Sequence, residues 1–255
     1  MKHLIKNSLS IYKSKLKNLF FEVDYSYIYF DNYLIGEKRL VPGNIKFDKL
    51  TNLCEIMKES GSDKGGFAGM SRHNYTPLYH VIFKRFKDQN INFFELGIGT
   101  TNIDISANMG NSGVPGASLR GWKKYFSKAN IFSADIDKSI LIQEDRIKTY
   151  YCDQTNPKLI QILWNEIDSQ SIDIILDDGL HEFHANICFF ENSIHKLSDG
   201  GIYIIEDVLR DQFENWVSYL NEYCTKNKKL RFTILQIPNP YNQHDNNIIT
   251  IIKKS

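Results

Sequence analysis

The chain has 255 residues, 42% of them hydrophobic, with 31 Lys+Arg against 30 Asp+Glu and a formal net charge of +1. That balance excludes a nucleic-acid binder whose affinity rests on a broad basic face, and the length suits one main domain with an appendage. No run reaches the roughly 18–20 apolar residues of a membrane span, no apolar leader segment opens the chain, and Cys54, Cys152, Cys188 and Cys224 lack zinc or disulfide-framework spacing; the expectation is a cytoplasmic protein with reduced thiols and no membrane span.

In the first twenty residues five lysines (Lys2, Lys6, Lys13, Lys15, Lys17) meet no acid, while Ile5, Leu9, Tyr12, Leu16 and Leu19 recur at helical spacing. This reads as a basic amphipathic helix, packed on its own domain or serving as a subunit or membrane-surface contact. A Tyr- and Phe-rich β or irregular stretch follows over 21–41, and Pro42-Gly43 punctuates it. Residues 1–58 are taken as an N-terminal appendage acting as lid or oligomer contact, and 59–255 as the main domain.

From there short apolar runs alternate with helical stretches. Pro77 opens a helix to about residue 88. Strands are expected at 91–96, 131–136, 148–152, 172–176 and 201–205, with helices at 118–126, 157–167, 181–197 and 216–225. Strands apolar on both faces and separated by helices indicate a parallel sheet in an α/β sandwich. The runs 231–237 and 247–253 are joined by a polar loop too short for a packed helix, which requires an antiparallel hairpin.

Ligands of such sheets bind beyond the carboxyl ends of the strands, and here each end is acidic: Glu95 with Gly97 and Gly99, then Asp135, then Asp153-Gln154, then Asp177-Asp178-Gly179, then Glu206-Asp207. The glycines let a ligand approach the backbone. A dinucleotide fingerprint would need a third glycine where Asn102 stands and an acid about 20 residues on, so an NAD(P)-dependent oxidoreductase is disfavoured. No phosphate-binding P-loop motif occurs.

These strand ends resemble those of the class I S-adenosylmethionine (SAM) dependent methyltransferases. The resemblance implies a Rossmann-like seven-stranded sheet with the terminal antiparallel hairpin as strands six and seven. It places Glu95, Gly97 and Gly99 by the methionine end of the cofactor, Asp135 on the ribose, and Asp153 and Gln154 by the adenine. A narrower set of motifs, Gly61-Ser-Asp63-Lys64-Gly65, His73-Asn-Tyr75-Thr-Pro-Leu-Tyr79, Gly116-Ala-Ser118-Leu-Arg120-Gly-Trp122, Asp178-Gly-Leu180-His181 and Glu206-Asp207, is similar to the metal-dependent sugar O-methyltransferases of macrolide and aminocoumarin biosynthesis, the mycinamicin type among them. By that resemblance Asp63, Lys64, Tyr75, Ser118 and Asp177 join the cofactor-binding set. Leu180 and the Asn/Gly/Ser-rich loop 102–116 depart from the pattern and bear on the acceptor pocket.

The chemistry also follows from the residues themselves. Asp178, Glu206 and Asp207 on neighbouring strand ends make an oxygen cage suited to Mg²⁺, and His181, three residues after Asp178, is the expected general base. Asp177 or Asp178 could alternatively cap the following helix. Outside the resemblance, Asp63-Lys64 reads as a surface ion pair and His73 as a polar loop residue. The expected function is SAM-dependent, Mg²⁺-assisted O-methylation of a small polar acceptor, a sugar hydroxyl in capsule polysaccharide or glycoside biosynthesis, by a homo-oligomer. Alternatives are a phosphate or phosphoramidate acceptor on a nucleotide or sugar precursor, and a non-catalytic binding subunit.

Overall fold

A computed structural model describes residues 28–30, 43–45, 50–65, 73–167, 169, 171–237, 239, 242 and 244–254. The basic helix expected in the first twenty residues lies outside them. Ten strands form one sheet: β1 (Ile28–Phe30), β2 (Gly43–Ile45), β3 (Asn92–Leu96), β4 (Asn130–Asp135), β5 (Gln143–Glu144), β6 (Ile147–Tyr151), β7 (Ile172–Asp177), β8 (Leu197–Ile205), β9 (Leu230–Gln236) and β10 (Asn247–Lys253). Their order is β1-β2-β9-β10-β8-β7-β3-β4-β6-β5. The seven strands from β9 to β6 are those expected from the sequence; β1, β2 and β5 are short additions at the two edges.

Strands β6, β4, β3, β7 and β8 run parallel, and β10 inserts antiparallel between β8 and β9. Alternate residues of the central strands enter opposite cores, as the two-residue period of a strand dictates. Phe93 and Ile174 join Leu53, Leu78, Tyr79, Leu119 and Trp122 on one face. Phe94 and Ile175 join Leu163, Trp164, Phe189, Trp216 and Leu220 on the other. Helices therefore cover both faces, Asn52–Ser60, Thr76–Ile82 and Ala117–Tyr125 on the first, and Pro157–Glu166, Phe183–Ser193 and Phe213–Lys226 on the second. No helix among the described residues is long and apolar enough to cross a membrane.

Three departures from the sequence reading matter for the site. The helix Asn52–Ser60, absent from the expectation, is capped by Thr51 and buries Leu53, Ile56 and Met57; a unit boundary at 58/59 falls inside it. The helix opened by Pro77 stops at Ile82, and a 3₁₀ turn at Lys84–Phe86 follows. Finally, the helix expected from 181 starts at Phe183, which leaves His181 on the loop with φ = 60°, a backbone region that a helix cannot use.

Candidate active site

A cleft of about 1230 Å³ opens beyond the carboxyl ends of the parallel strands. Gly97, Gly99, Asp135, Asp153 and Gln154 line one half, and Asp63, His73, Asp178, His181, Asp207 and Asp245 the other. Gly97 is required by the strand packing: with φ = 93° its missing Cβ would lie 2.1 Å from the backbone oxygen of Asp178. At this point β3 and β7 come together, and a side chain would force the two halves of the site apart.

In the first half, Asp135 accepts the backbone N–H of Ile98 at 2.7 Å and of Asp137 at 2.8 Å. Burial raises its carboxyl above the ordinary range against these bonds. Thr100 donates to Asp137 at 2.5 Å, which ties the loop after β3 to the loop after β4. Gln154 accepts the N–H of Leu180 at 2.6 Å through Oε1, whereas its Nε2 is buried without a hydrogen-bond partner among the described residues. An orphaned buried donor at a cleft wall is a place for a ligand acceptor.

The second half is built on a buried cation. Lys64 is 3% exposed; its Nζ donates to Asp178 Oδ2, stands 2.5 Å from Glu206 Oε2 and lies 3.5 Å from Glu95 Oε1. Burial pulls the Lys64 amine down, but the surrounding carboxylates outweigh it and hold the amine well above the usual lysine range. Tyr79 closes the other side of Glu206 by donating its hydroxyl to Oε1. Burial drives Glu206 well above the usual carboxylate range in spite of Lys64. For Asp178 the opposite balance holds: burial raises it, but Lys64 and His181 together keep it low and ionised.

Asp207 sits between two imidazoles. His73 Nδ1 is 3.1 Å from its Oδ1, and His181 Nε2 is 3.6 Å from its Oδ2 and 3.8 Å from Asp178 Oδ1. Tyr75 donates its hydroxyl to Asp207 Oδ1 at 2.5 Å. Burial raises Asp207 against the pull of His181 and His73. Asp207, like His181, has a left-handed backbone, with φ = 53°. Such a conformation in a non-glycine residue costs on the order of 1–3 kcal/mol and persists where the surroundings impose it.

Among the described residues, the metal-capable atoms that converge are those of Asp178, His181 and Asp207, all within 4.8 Å of one another. Glu206, expected as the third oxygen ligand, does not join them, because Lys64 and Tyr79 occupy its two oxygens deeper in the protein. Glu95 also lies behind the lining: it is fully buried, accepts from Ser118 and Trp122 at 2.9 Å each, and burial lifts it to about 7. Ser118, its partner, likewise does not line the cleft. Asp177 is fully buried, takes the amide of Asn186 at 3.0 Å and is pushed by burial to about 7. Neither Asp177 nor Asp178 caps the next helix, whose N-cap is Glu182.

Outside the resemblance His73 reads from the sequence as an ordinary polar residue, and neither Tyr79 nor Asp245 is among the expected site residues. The four-residue spacing of Tyr75 and Tyr79, one helical turn, was the available signal for the tyrosines. Nothing local marks Asp245, which the β9–β10 loop delivers from far along the chain.

No protein-family model matches the chain. It is 31% identical over 171 residues to the 8-demethyl-8-alpha-L-rhamnosyl tetracenomycin-C 2'-O-methyltransferase of Streptomyces olivaceus, covering 67% of this chain and 40% of that protein. It is 28% identical over 169 residues to the mycinamicin VI 2''-O-methyltransferase of Micromonospora griseorubida, covering 66% and 37%. The chain thus spans about two fifths of the length of these relatives. Among solved structures it superposes on the MycE methyltransferase of the mycinamycin pathway, in complex with Mg and SAH, with a TM-score of 0.60 at 22% identity, over 81% of this chain and 55% of that one. The chain has the Rossmann-like methyltransferase fold, and its relatives in sequence are sugar O-methyltransferases of tetracenomycin and mycinamicin biosynthesis.

Proposed function

We propose that the protein is a SAM-dependent, metal-assisted O-methyltransferase acting on a hydroxyl of a sugar or glycoside. The observation that carries this reading is the two-part cleft: glycines, Asp135 and an orphaned Gln154 amide at one end, and two carboxylates with an imidazole at the other. The activities named for the relatives point the same way.

The residues fit both groups the reading requires. Gly97 and Gly99 line the cleft where the methionine part of SAM would lie, Asp135 is placed for the ribose hydroxyls, and Gln154 Nε2 offers the adenine a donor. Asp178 and Asp207 provide the hard oxygens that a divalent cation such as Mg²⁺ prefers. When bound there, the cation supplies positive charge that favours an ionised acceptor oxygen. His181 Nε2 takes the hydroxyl proton of the acceptor; SAM, when bound, would supply the methyl group to that oxygen and leave as S-adenosylhomocysteine. His73 and Tyr75 hold Asp207, and Lys64 holds Asp178, so that both carboxylates keep one orientation.

An uncharged acceptor is favoured over a phosphate or phosphoramidate, since the described cleft lining contains several carboxylates and a single lysine, Lys58. The four cysteines are free, in keeping with a reducing, cytoplasmic compartment. Assembly as a homo-oligomer is part of the reading and rests on the amphipathic pattern of the first twenty residues and on the resemblance. The test of the proposed activity is incubation with SAM, Mg²⁺ and a panel of glycosides and sugar nucleotides, followed by mass spectrometry. The expected result is the mass gain of one methyl group on a hydroxyl-bearing acceptor; methylation confined to phosphate-bearing acceptors at the phosphate would overturn the acceptor assignment.

A further inference from the structure

In this chain β3 is not followed at once by its helix. The helix starts only at Ala117, and the residues between Thr100 and Gly116 form neither helix nor strand. Their course is nonetheless fixed. Met109 N–H donates to Thr100 O at 2.8 Å, and Gly116 N–H donates to Ile98 O at 2.8 Å. The segment is thereby pinned at its middle and at its far end to the turn that carries Gly97 and Gly99, and residues 104–109 with Ser112 and Gly113 become a wall of the cleft.

The Met109 side chain lies between Gly99 and Gly113. A Cβ on Gly99 would fall 2.3 Å from Met109 Cε, and one on Gly113 would fall 2.5 Å from Met109 Cβ and 2.9 Å from Cε. The thioether therefore fills the space between the strand end and the returning loop. Methionine suits this place, because its unbranched, polarizable chain adapts to an irregular gap and packs on backbone and ligand alike. The neighbouring Ala107 adopts φ = 57°, so the loop holds an unfavourable backbone that its anchoring must offset.

We propose that Met109 is a latch: wedged between Gly99 and Gly113, it holds segment 100–116 across the cofactor half of the cleft and is a positioning residue for the cofactor. This inference rests on the methyltransferase reading for the identity of the ligand, but the latch itself is a property of the unliganded chain. Segment 100–116 thus belongs to the cofactor half, whereas the sequence placed it with the acceptor.

The test combines calorimetric titration of S-adenosylhomocysteine with amide hydrogen exchange of the unliganded protein, for wild type, Met109→Ala, Met109→Leu and Gly113→Ala. Removing the thioether should weaken binding by about tenfold or more, as loss of a packed side chain does, whereas Met109→Leu stays within about threefold. Gly113→Ala, whose Cβ would crowd Met109 Cβ and Cε and push the side chain from its seat without deleting it, should reproduce the weakening. In both weakened variants the amides of 101–113 exchange faster before ligand is added, while those of β3 and β4 do not change. Binding by Met109→Ala that equals or exceeds wild type would overturn the latch, as would unchanged exchange of the loop. Failure of the wild type to bind S-adenosylhomocysteine would instead refute the methyltransferase reading, and the exchange data would still decide whether Met109 anchors the loop.

Discussion

His181 and Asp207 present their side chains from left-handed backbones, 3.6 Å apart across the acceptor half of the cleft. Two such residues in contact are hard to explain by packing alone, since a glycine or asparagine at either position would relieve the strain. Their side chains must be what the fold retains. Replacing His181 by Ala should lower kcat on the order of 100-fold or more with little effect on S-adenosylhomocysteine binding; equal losses in both quantities would assign His181 to structure and not to proton transfer. Behind the cleft, Glu95 offers a stability test. Burial raises its carboxyl from 4.5 to about 7, so the folded state binds its proton more tightly than the unfolded state. Its contribution is full below about 4.5 and is lost as pH rises through 7, with a slope of up to about 1.4 kcal/mol per pH unit. Glu95→Gln should flatten the fall in unfolding free energy between pH 5 and 7, measured by denaturant titration at each pH. At this scale the sequence identified Asp63, Asp135, Asp153, Asp178 and Asp207 of the cleft lining but not Glu55, Asp104 or Asp245. It could not reveal that Lys64 turns inward, because that depends on Asp178 and Glu206, more than a hundred residues away.

Among the elements, the strands were the most legible, since apolar residues on both faces leave few alternatives for runs such as Ile172–Asp177 and Asn247–Lys253. The expected antiparallel hairpin is present, and β10 pairs in register with both β8 and β9. Ile249 lies between Ile205 and Ile234 and is fully buried. Its replacement by Ala should destabilise the protein by about 2–5 kcal/mol in denaturant unfolding, a cost that an edge or peripheral strand would not show. Gly97→Ala belongs to the same scale because it concerns the meeting of β3 and β7: a Cβ at 2.1 Å from a backbone oxygen should cost on the order of 3 kcal/mol or more, read in the same experiment. Less legible were the ends of helices. The nine-residue helix Asn52–Ser60 is short and follows a Pro-Gly break, so its buried Leu53, Ile56 and Met57 gave too brief a period to recognise. The late start of Phe183–Ser193 reflects the backbone of His181, which no periodicity records.

Over the whole molecule, near-neutrality conceals a division of charge. Lysines gather in the first twenty residues, while acids stand at five strand ends, and four of those ends contribute an acid to one cleft. Lys64 offsets part of that charge from within, and a sulfonium cofactor and a divalent cation would offset the remainder. The fold was legible as a whole because alternating strands and helices with a terminal hairpin admit few topologies. The partition of the cleft was only partly so, since the loops that complete it, 100–116 and the turn bearing Asp245, follow no period. The most direct test of the central claim is calorimetric titration of S-adenosylhomocysteine into the purified protein, with NAD⁺ titrated in parallel. Saturable binding of S-adenosylhomocysteine at one site per chain and no heat from NAD⁺ is the predicted result; binding of NAD⁺, or no binding of S-adenosylhomocysteine, would contradict it.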